Sequence, residues 1–379
     1  MGAGRSRRLA PALATGCLLL AACSSPTHPA TSSTGGPHLP SGSTSSTAAP
    51  PYQSGTTLPA ARTTGAMRVY ATVPLSIGNG QVASAESPDG AVFVAPLTLA
   101  AGAAAPVVWV VDGDGPPAVA ETLTAGVDAL AADQANLYVA NLTGVTAYTR
   151  RTGNQSGQWA LPATATSSSP GQDPEAMSAS DGQVLVSVST GNAVSVYRIN
   201  PQSPAAPQLV VQGLSAAFGP NGSVVYERTD HHLVALSASG ATTVGPTLAD
   251  APNGLGGGVQ YVNAVAGGDV WVSEPAGQGL DASFSTFDLS TLHSVGTFAG
   301  TANEQIVGTT GGVLALDAPY NTSVCPDANP SSECIVRLSP TGTLSDGSPA
   351  GATLQLLGPD PAVIAPDPSN TALEVERLS

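Results

Sequence analysis

A short pattern of apolar segment, polar turn and β-forming run recurs seven times after residue 82, and it constrains the fold more than any other feature of the chain. The turns contain Gly, Asp or Asn, and some of them read SPDG, SDG or PNG. Alternating apolar residues on both sides of such turns are typical of β-hairpins. Successive units start 39 to 58 residues apart. The seven units cover residues 82–97, 127–142, 175–189, 214–229, 262–275, 304–319 and 362–378.

This spacing leaves room for about four short strands per unit and predicts an all-β fold, a seven-bladed β-propeller of four-stranded antiparallel blades. The 43 Gly and 33 Pro residues and the charged fraction of only 10% suit many short strands joined by turns. The seventh unit is cut short after residue 378, whereas residues 67–77 form a strand-like segment without a unit of its own. We expect this N-terminal strand to close the last blade, because closure removes an open sheet edge. Another all-β fold, such as two stacked sandwiches, is the alternative.

The N-terminus has the layout of an export signal. Residues 1–8 are cationic, and residues 9–22 form an apolar stretch of 14 residues, which is too short to span a hydrocarbon core of ~30 Å as a helix. The stretch ends in Leu20-Ala21-Ala22-Cys23, which resembles the bacterial lipobox. The resemblance implies cleavage before Cys23 and lipidation of its thiol, with fatty acyl chains such as palmitate as the membrane anchor. An ordinary secretory signal with a chance Cys is the alternative.

Three segments of the chain follow from these features. Residues 1–22 are a lipoprotein signal peptide, and residues 23–65 are the lipidated Cys with a disordered tether rich in Ser, Thr, Pro and Gly, since they lack the apolar residues that ordering requires. Residues 66–379 are the propeller domain. We therefore expect an exported lipoprotein on the outer face of the cell membrane, displayed at the cell surface.

The charge of the chain restricts its partners. The net charge is −15, and removal of residues 1–22 leaves 8 Arg against 26 Asp and Glu, a net charge of −18. Such a surface repels nucleic acid and anionic lipid, so we expect no nucleic-acid partner and a membrane contact only through the lipid. All 11 basic residues are Arg, which excludes a Lys Schiff base, a P-loop Lys and a Ser–Lys dyad. This usage, with abundant Ala, Gly and Pro, resembles that of actinobacterial proteins.

Two cysteines remain after Cys17 is removed with the signal and Cys23 is lipidated. They are Cys325 and Cys334, which frame a loop between two strand-like runs. A leftover pair in an exported protein predicts a disulfide. A redox or metal pair is the alternative, but it requires closer spacing or a nearby His.

The units resemble the YVTN-type and PQQ-like propeller repeats of bacterial exported proteins. The segment that carries the resemblance best is LYVAN at 137–141, with TGVTAYTRRTG after it. The resemblance implies a fold and not a chemistry. In related quinoprotein dehydrogenases the blades carry a Trp docking motif, whereas Trp109, Trp159 and Trp271 do not recur in register. We expect these Trp residues to pack within blades, and we expect no quinone or other cofactor.

The longest connections predict where a site lies. In a propeller, the connections between the second and third strands of a blade open on the same face as those between blades. The segments 163–174, 249–261, 274–282 and 319–334 all fall on that face, which we call the loop-rich face. Concentrated insertions mark a binding face; random drift in loop length is the alternative. The polar residues expected there are Asp173, Glu175, Arg228, Asp230, His231, His232, Asn253, Tyr261, Glu274, Asp281, Glu304 and Tyr320.

The sharpest polar cluster is the segment Glu227-Arg228-Thr229-Asp230-His231-His232 at a hairpin tip. Asp and His are metal ligands, but adjacent residues in a tight turn point in different directions, so we expect a polar tip and no metal. The run Asp112-Gly113-Asp114-Gly115 lacks the acidic twelfth position of a calcium loop and is interpreted as a turn. The sequence contains no G-x-S-x-G, HExxH or P-loop motif.

Two functions follow from these observations. The first is a monomeric, non-enzymatic binding or scaffold propeller with an unknown protein, glycan or peptide ligand. The second is a propeller enzyme, either a lyase or hydrolase or a quinoprotein-like oxidoreductase, with its site on the loop-rich face. The enzyme hypothesis requires His231 or His232 to converge with Glu175, Glu274 or Glu304.

Overall fold

The computed structural model describes most of the repeat-containing part of the chain. The described residues belong to one compact unit, residues 48–379. They are residues 63–64, 67–75, 82–97, 106–113, 115–124, 126–162, 174–180, 182–190, 193–248, 261–274, 283–299, 305–309, 312–317, 333–342, 344–351, 355–358, 362–367, 369 and 371–378. Within these ranges, no helix is long and apolar enough to cross a membrane.

The described strands form seven antiparallel sheets, which are the blades of a propeller. Each blade from 1 to 6 consists of four strands that are consecutive in the sequence. Blade 1 contains β3 (Val82–Glu86), β4 (Val92–Pro96), β5 (Val107–Val111) and β6 (Ala118–Thr122). Blade 2 contains β7 (Ala129–Ala132), β8 (Asn136–Asn141), β9 (Gly144–Thr149) and β10 (Gln155–Ala160). Blade 3 contains β11 (Pro174–Ser180), β12 (Gln183–Thr190), β13 (Ala193–Ile199) and β14 (Gln208–Gly213).

The second half of the ring repeats this order. Blade 4 contains β15 (Ser215–Phe218), β16 (Val224–Glu227), β17 (His232–Leu236) and β18 (Thr242–Thr247). Blade 5 contains β19 (Tyr261–Ala266), β20 (Asp269–Glu274), β21 (Ser283–Asp288) and β22 (Ser294–Ala299). Blade 6 contains β23 (Ile306–Thr309), β24 (Gly312–Asp317), β25 (Glu333–Leu338) and β26 (Leu344–Gly351). Blade 7 contains β27 (Gln355–Leu357), β28 (Ala362–Pro366), β29 (Leu373–Leu378), β2 (Met67–Val73) and β1 (Thr63–Thr64).

Blade 7 confirms the predicted closure of the ring. The N-terminal strand β2 pairs antiparallel with the C-terminal strand β29, with Met67 opposite Leu378 and Val73 opposite Leu373. The first strand β27 of blade 7 contacts β3 of blade 1, which completes the circle. The first and last described strands thus share one sheet, and the ring has no open seam between its first and last blades.

The composition of blade 7 corrects one part of the sequence analysis. The repeat pattern predicts that residues 362–378 are the first two strands of a truncated unit, whereas they form the second and third strands of blade 7, β28 and β29. The first strand is the three-residue β27, whose Leu356 and Leu357 are buried. So short a run, without a hairpin turn signal before it, carries no recognisable pattern. With β27 included, the first strands start 41 to 49 residues apart, and the irregular last interval disappears.

The hydrophobic core lies in layers between neighbouring blades. Along β12, Val184, Val186 and Val188 pack in the cluster shared with blade 2, whereas Leu185 packs in the cluster shared with blade 4. This alternation follows from the two-residue period of a strand buried on both faces. The indole of Trp271 is fully buried and donates to the Ala266 carbonyl at 3.1 Å.

Candidate functional site

The strand order places the long connections at one end of the sheets. In every blade the chain turns from the second to the third strand at the same end at which it enters the next blade, because all pairs are antiparallel. The four long connections join β10 to β11, β18 to β19, β20 to β21 and β24 to β25, and all of these junctions lie at that end. The connections themselves are outside the described residues.

The described residues include part of the expected binding face. Glu175, Tyr261 and Glu274 lie in strands β11, β19 and β20, at the ends that face the long connections. Arg228, Asp230, His231 and His232 are described with their side chains and lie together at the tip of the hairpin between β16 and β17 in blade 4. The expected residues outside the described ranges are Asp173, Asn253, Asp281, Glu304 and Tyr320.

The tip of the blade 4 hairpin is a tight turn held by backbone and ionic contacts. The N–H of His231 donates to the Arg228 carbonyl at 2.8 Å, and the N–H of Arg228 donates to the His232 carbonyl at 2.9 Å. His231 has a φ of +65°, a left-handed conformation that few non-glycine residues adopt. The tip therefore has a defined conformation, because the contacts on both sides of His231 determine its backbone.

Arg228 and Asp230 form a bidentate ion pair at this tip. Nε and Nη2 of Arg228 donate to the two carboxylate oxygens of Asp230 at 2.7 and 2.6 Å. The hydrogen bonds from Arg228 hold the pKa of Asp230 well below its usual range, and those to Asp230 raise the pKa of Arg228. The two side chains are 40% and 52% exposed, so the pair presents adjacent positive and negative charge to solvent.

A buried carboxylate beneath the tip connects it to the next blade. Glu227, the last residue of β16, is 1% exposed, and its Oε1 lies 2.7 Å from Nδ1 of His231. This distance corresponds to a hydrogen bond between the two side chains. Oε2 accepts from the Ser215 hydroxyl at 3.4 Å, and that hydroxyl accepts from the N–H of Val262 in blade 5 at 2.9 Å. Glu227 thus joins the tip to the junction of blades 4 and 5.

The two adjacent histidines point to different partners. His231 contacts Glu227, whereas Nε2 of His232 lies 3.2 Å from the hydroxyl of Thr247 in β18. Nδ1 of His232 is 3.3 Å from the Asp230 carboxylate. This divergence is the one expected of neighbouring residues in a tight turn. In the part of the chain that the structure describes, no three His, Cys, Asp or Glu side chains form a group that could hold a metal ion.

Glu227 is the residue whose role sequence reasoning missed. It was named in the hairpin cluster but not among the residues of the binding face. The available signal was its position at the end of the apolar run Val224-Val225-Tyr226, where an acidic side chain continues a buried strand. Acidic residues are seldom fully buried without a partner, so such a position predicts a paired carboxylate.

The disulfide stays a prediction. Cys334 lies in β25, opposite Asp317 of β24 and Pro349 of β26, and Cys325 lies outside the described residues.

The comparisons with known proteins agree with the propeller architecture. No family model matches the sequence. No curated protein matches it either. Among solved structures, the WD40 domain of Toxoplasma gondii coronin is similar with a TM-score of 0.53 and 12% identity, over 84% of this chain and 85% of that chain.

Two bacterial structures are also similar. BamB from Moraxella catarrhalis has a TM-score of 0.46 and 12% identity, over 82% of this chain and 85% of that chain. The PQQ-bound aldose sugar dehydrogenase from Streptomyces coelicolor has a TM-score of 0.42 and 13% identity, over 84% of this chain and 99% of that chain. At these identities the similarity concerns the fold alone. The seven-bladed β-propeller of this chain follows from its own strand pairing.

Proposed function

We propose that this protein is a lipid-anchored binding module that presents the loop-rich face of its propeller to a protein partner outside the cell membrane. The lipobox-like segment ending at Cys23 and the Ser/Thr/Pro/Gly-rich residues after it support the anchor and the tether. The propeller then stands away from the bilayer, where a second macromolecule has access to it.

The observation that carries the binding role is the blade 4 hairpin tip. It presents the Arg228–Asp230 ion pair and the His231 ring to solvent, and buried Glu227 holds it from below. A preorganised tip with alternating charge suits a protein surface of complementary charge, because little side-chain entropy is lost on association. The long connections between β10 and β11, β18 and β19, β20 and β21, and β24 and β25 begin at the same end of the sheets.

The enzyme hypothesis has less support from the described residues. It requires a second acidic group from another blade beside His231 or His232. The acid that contacts His231 is Glu227 from the same hairpin, and His232 contacts Asp230 and Thr247. These contacts hold the turn in place, which is a structural role.

Site-specific photo-crosslinking on intact cells tests the binding role. A photoreactive residue at Thr229, exposed at the hairpin tip, is compared with one at Ala241, exposed in the turn between β17 and β18 at the opposite end of the same blade. We expect a discrete protein adduct from position 229 and none from position 241. Equal adducts from both positions, or none from position 229, would contradict a partner on the loop-rich face. An adduct that glycosidases remove would indicate a glycan instead.

The anchor is tested separately. In the full chain, Cys23→Ser should abolish incorporation of a palmitate analogue and release the protein from the membrane fraction, because the thiol is the acylated group. Cys17→Ser, which changes the other N-terminal cysteine, should leave both unchanged. Retention of the label in Cys23→Ser would contradict the lipobox interpretation.

A further inference from the structure

Arg198 occupies an unusual position in the seam between blades 3 and 4. It lies in β13 opposite Leu185 of β12. Leu185 and Val196 belong to the apolar cluster that packs blade 3 against Val224 of blade 4. Because alternate residues of a strand share a face, Arg198 lies on the blade 4 side with Val196. Its place next to the last residue of β13 puts it near the end of the seam opposite the loop-rich face.

The guanidinium of Arg198 has a buried edge without an acceptor. Nε and Nη2 are closed off from solvent, and no described residue accepts a hydrogen bond from either. A guanidinium stays protonated in proteins, so this edge carries buried charge. Burying such donors without an acceptor is costly, and an oxygen ligand at this edge would remove the cost.

Another arginine of this protein, Arg228, uses the same two donor atoms to bind a carboxylate. Arg228 uses Nε and Nη2 to hold both oxygens of the Asp230 carboxylate, at 2.7 and 2.6 Å. These two N–H groups are parallel and coplanar, so they match two oxygens of one planar group. The buried edge of Arg198 offers the same pair of donors.

A second polar side chain lies on the same face. Gln183 is two residues before Leu185 in β12, and its Oε1 is buried with no hydrogen-bond partner among the described residues. A Cβ added at Gly222 would lie 3.5 Å from this oxygen. Gly222 belongs to the 3-10 turn Pro220–Gly222 of blade 4. Gln183 of blade 3 therefore lies beside this turn of blade 4. An amide at this place can both donate to and accept from a bound ligand.

From these contacts we infer that Arg198 and Gln183 form a binding site for the carboxylate of a small organic acid, entered beside the Pro220–Gly222 turn. The apolar side chains of the seam suit an organic acid with an apolar body, since a phosphate or sulfate would bury further oxygens against them. The net charge of −15 also favours a monovalent over a multivalent anion.

Thermal melting of the whole protein at constant ionic strength tests this site. Chloride is compared with acetate, butyrate and benzoate, and with phosphate and sulfate. We expect the carboxylates to raise the melting temperature by several degrees, with the effect growing with the apolar body, because they bind only the folded state. Arg198→Met should abolish the response, and Arg198→Lys should weaken it. Arg151→Met, at an exposed arginine in the turn after β9, should keep it.

Three results would overturn the inference. The first is an equal melting temperature in chloride and in all carboxylates, and the second is a carboxylate response that survives in Arg198→Met. The third is energetic coupling between Arg198→Met and Asp181→Asn in a double-mutant cycle, which would assign the acceptor to the chain itself. Asp181 follows β11 in the sequence and lies outside the described residues. A stronger response to phosphate or sulfate would overturn the preference for carboxylate.

Discussion

Two seams of the ring each contain a half-buried arginine, and the two arginines differ in their partners among the described residues. In the closing seam between blades 7 and 1, Arg377 of β29 lies 3.9 Å from the buried Glu86 carboxylate of β3 and donates to the Gly90 carbonyl at 2.5 Å. It also lies 5.4 Å from the ring of Tyr70 in β2. In the seam between blades 3 and 4, the corresponding edge of Arg198 meets no acceptor among the described residues.

The two seams are held together by different kinds of contact. In the closing seam, the first and last strands of the described chain meet blade 1. Arg377 of β29 contacts Glu86 and Gly90 of blade 1 by charge and hydrogen bonding, and its guanidinium lies over the ring of Tyr70 in β2. The seam between blades 3 and 4 is packed by an apolar cluster that includes Leu185, Val196 and Val224.

The largest effect is expected from breaking the closing seam. Arg377→Met removes the cation 3.9 Å from the Glu86 carboxylate, whose side chain is 1% exposed. We expect a loss of about 3–5 kcal/mol in the free energy of unfolding, measured by urea denaturation. Arg151→Met is the control and should stay near wild type, and Glu86→Gln in the Arg377→Met background should restore part of the loss. A loss no larger than that of the control would show that the closing seam does not depend on Arg377.

A seam held by apolar contacts should respond less. Leu292 is 1% exposed between blades 4 and 5, and Gly245 leaves room for it, since a Cβ at that glycine would lie 2.7 Å from the Leu292 Cβ. Leu292→Ala should cost about 3 kcal/mol of unfolding free energy through lost burial and the cavity left behind. Val295→Ala, at a residue 41% exposed nearby in β22, should cost far less. Equal costs would mean that this seam collapses around the cavity.

The buried carboxylate under the hairpin tip should come next. Glu227→Gln keeps the shape but removes the charge-assisted contact to His231 at 2.7 Å, so we expect a loss of about 2 kcal/mol at pH 7 by denaturant unfolding. Asp230→Asn, which breaks the exposed ion pair of the same tip, is the matched control and should change stability much less. Equal losses of unfolding free energy in the two variants would show that Glu227 does not stabilise the hairpin tip.

The smallest effect is expected at the seam between blades 1 and 2, where the carboxylate of the ion pair is half exposed. Burial opposes ionisation of Asp89, but hydrogen bonds from Arg150 and Ser87 lower its pKa below the usual value of 3.8. A carboxyl whose pKa is lower in the folded protein contributes stability above its unfolded pKa and loses it as the pH falls. Because Asp89 is 50% exposed, Asp89→Asn should cost only about 0.5 kcal/mol.

The pH dependence checks this interpretation. The difference in unfolding free energy between wild type and Asp89→Asn should be constant near neutral pH and should shrink below about pH 4. A difference that grows on acidification would have the wrong sign for a lowered pKa. High salt should reduce it, because exposed charges are screened.

The sequence predicted the blade number and the closure because both depend on local patterns. The alternation of apolar residues around SPDG, SDG and PNG turns identified the hairpins, and the unpaired run at residues 67–77 identified the closing strand. The side of the long connections followed from strand order alone. The strand β27 escaped detection, since three residues are too few to show a period.

The contacts of single side chains could not be predicted in this way. Arg377 and Gly90 are 287 positions apart, and no local pattern brings them together. The same limit applies to Ser215 and Val262, which meet across a seam to support Glu227. The candidate face was therefore predicted as a set of polar residues, but not the buried carboxylate beneath it.

The sequence by itself determined that this chain forms a seven-bladed ring of antiparallel blades, because strand and turn preferences act over a few neighbouring residues. Only the tertiary structure decided which charged groups are paired. Arg198 and Arg377 both lie in seams between blades. The packing of distant blades places Arg377 next to Glu86, whereas no described residue accepts a hydrogen bond from Nε or Nη2 of Arg198. The physical reason is that burial and the choice of charged partner depend on residues far apart in the chain, whereas the hairpins depend on residues close together.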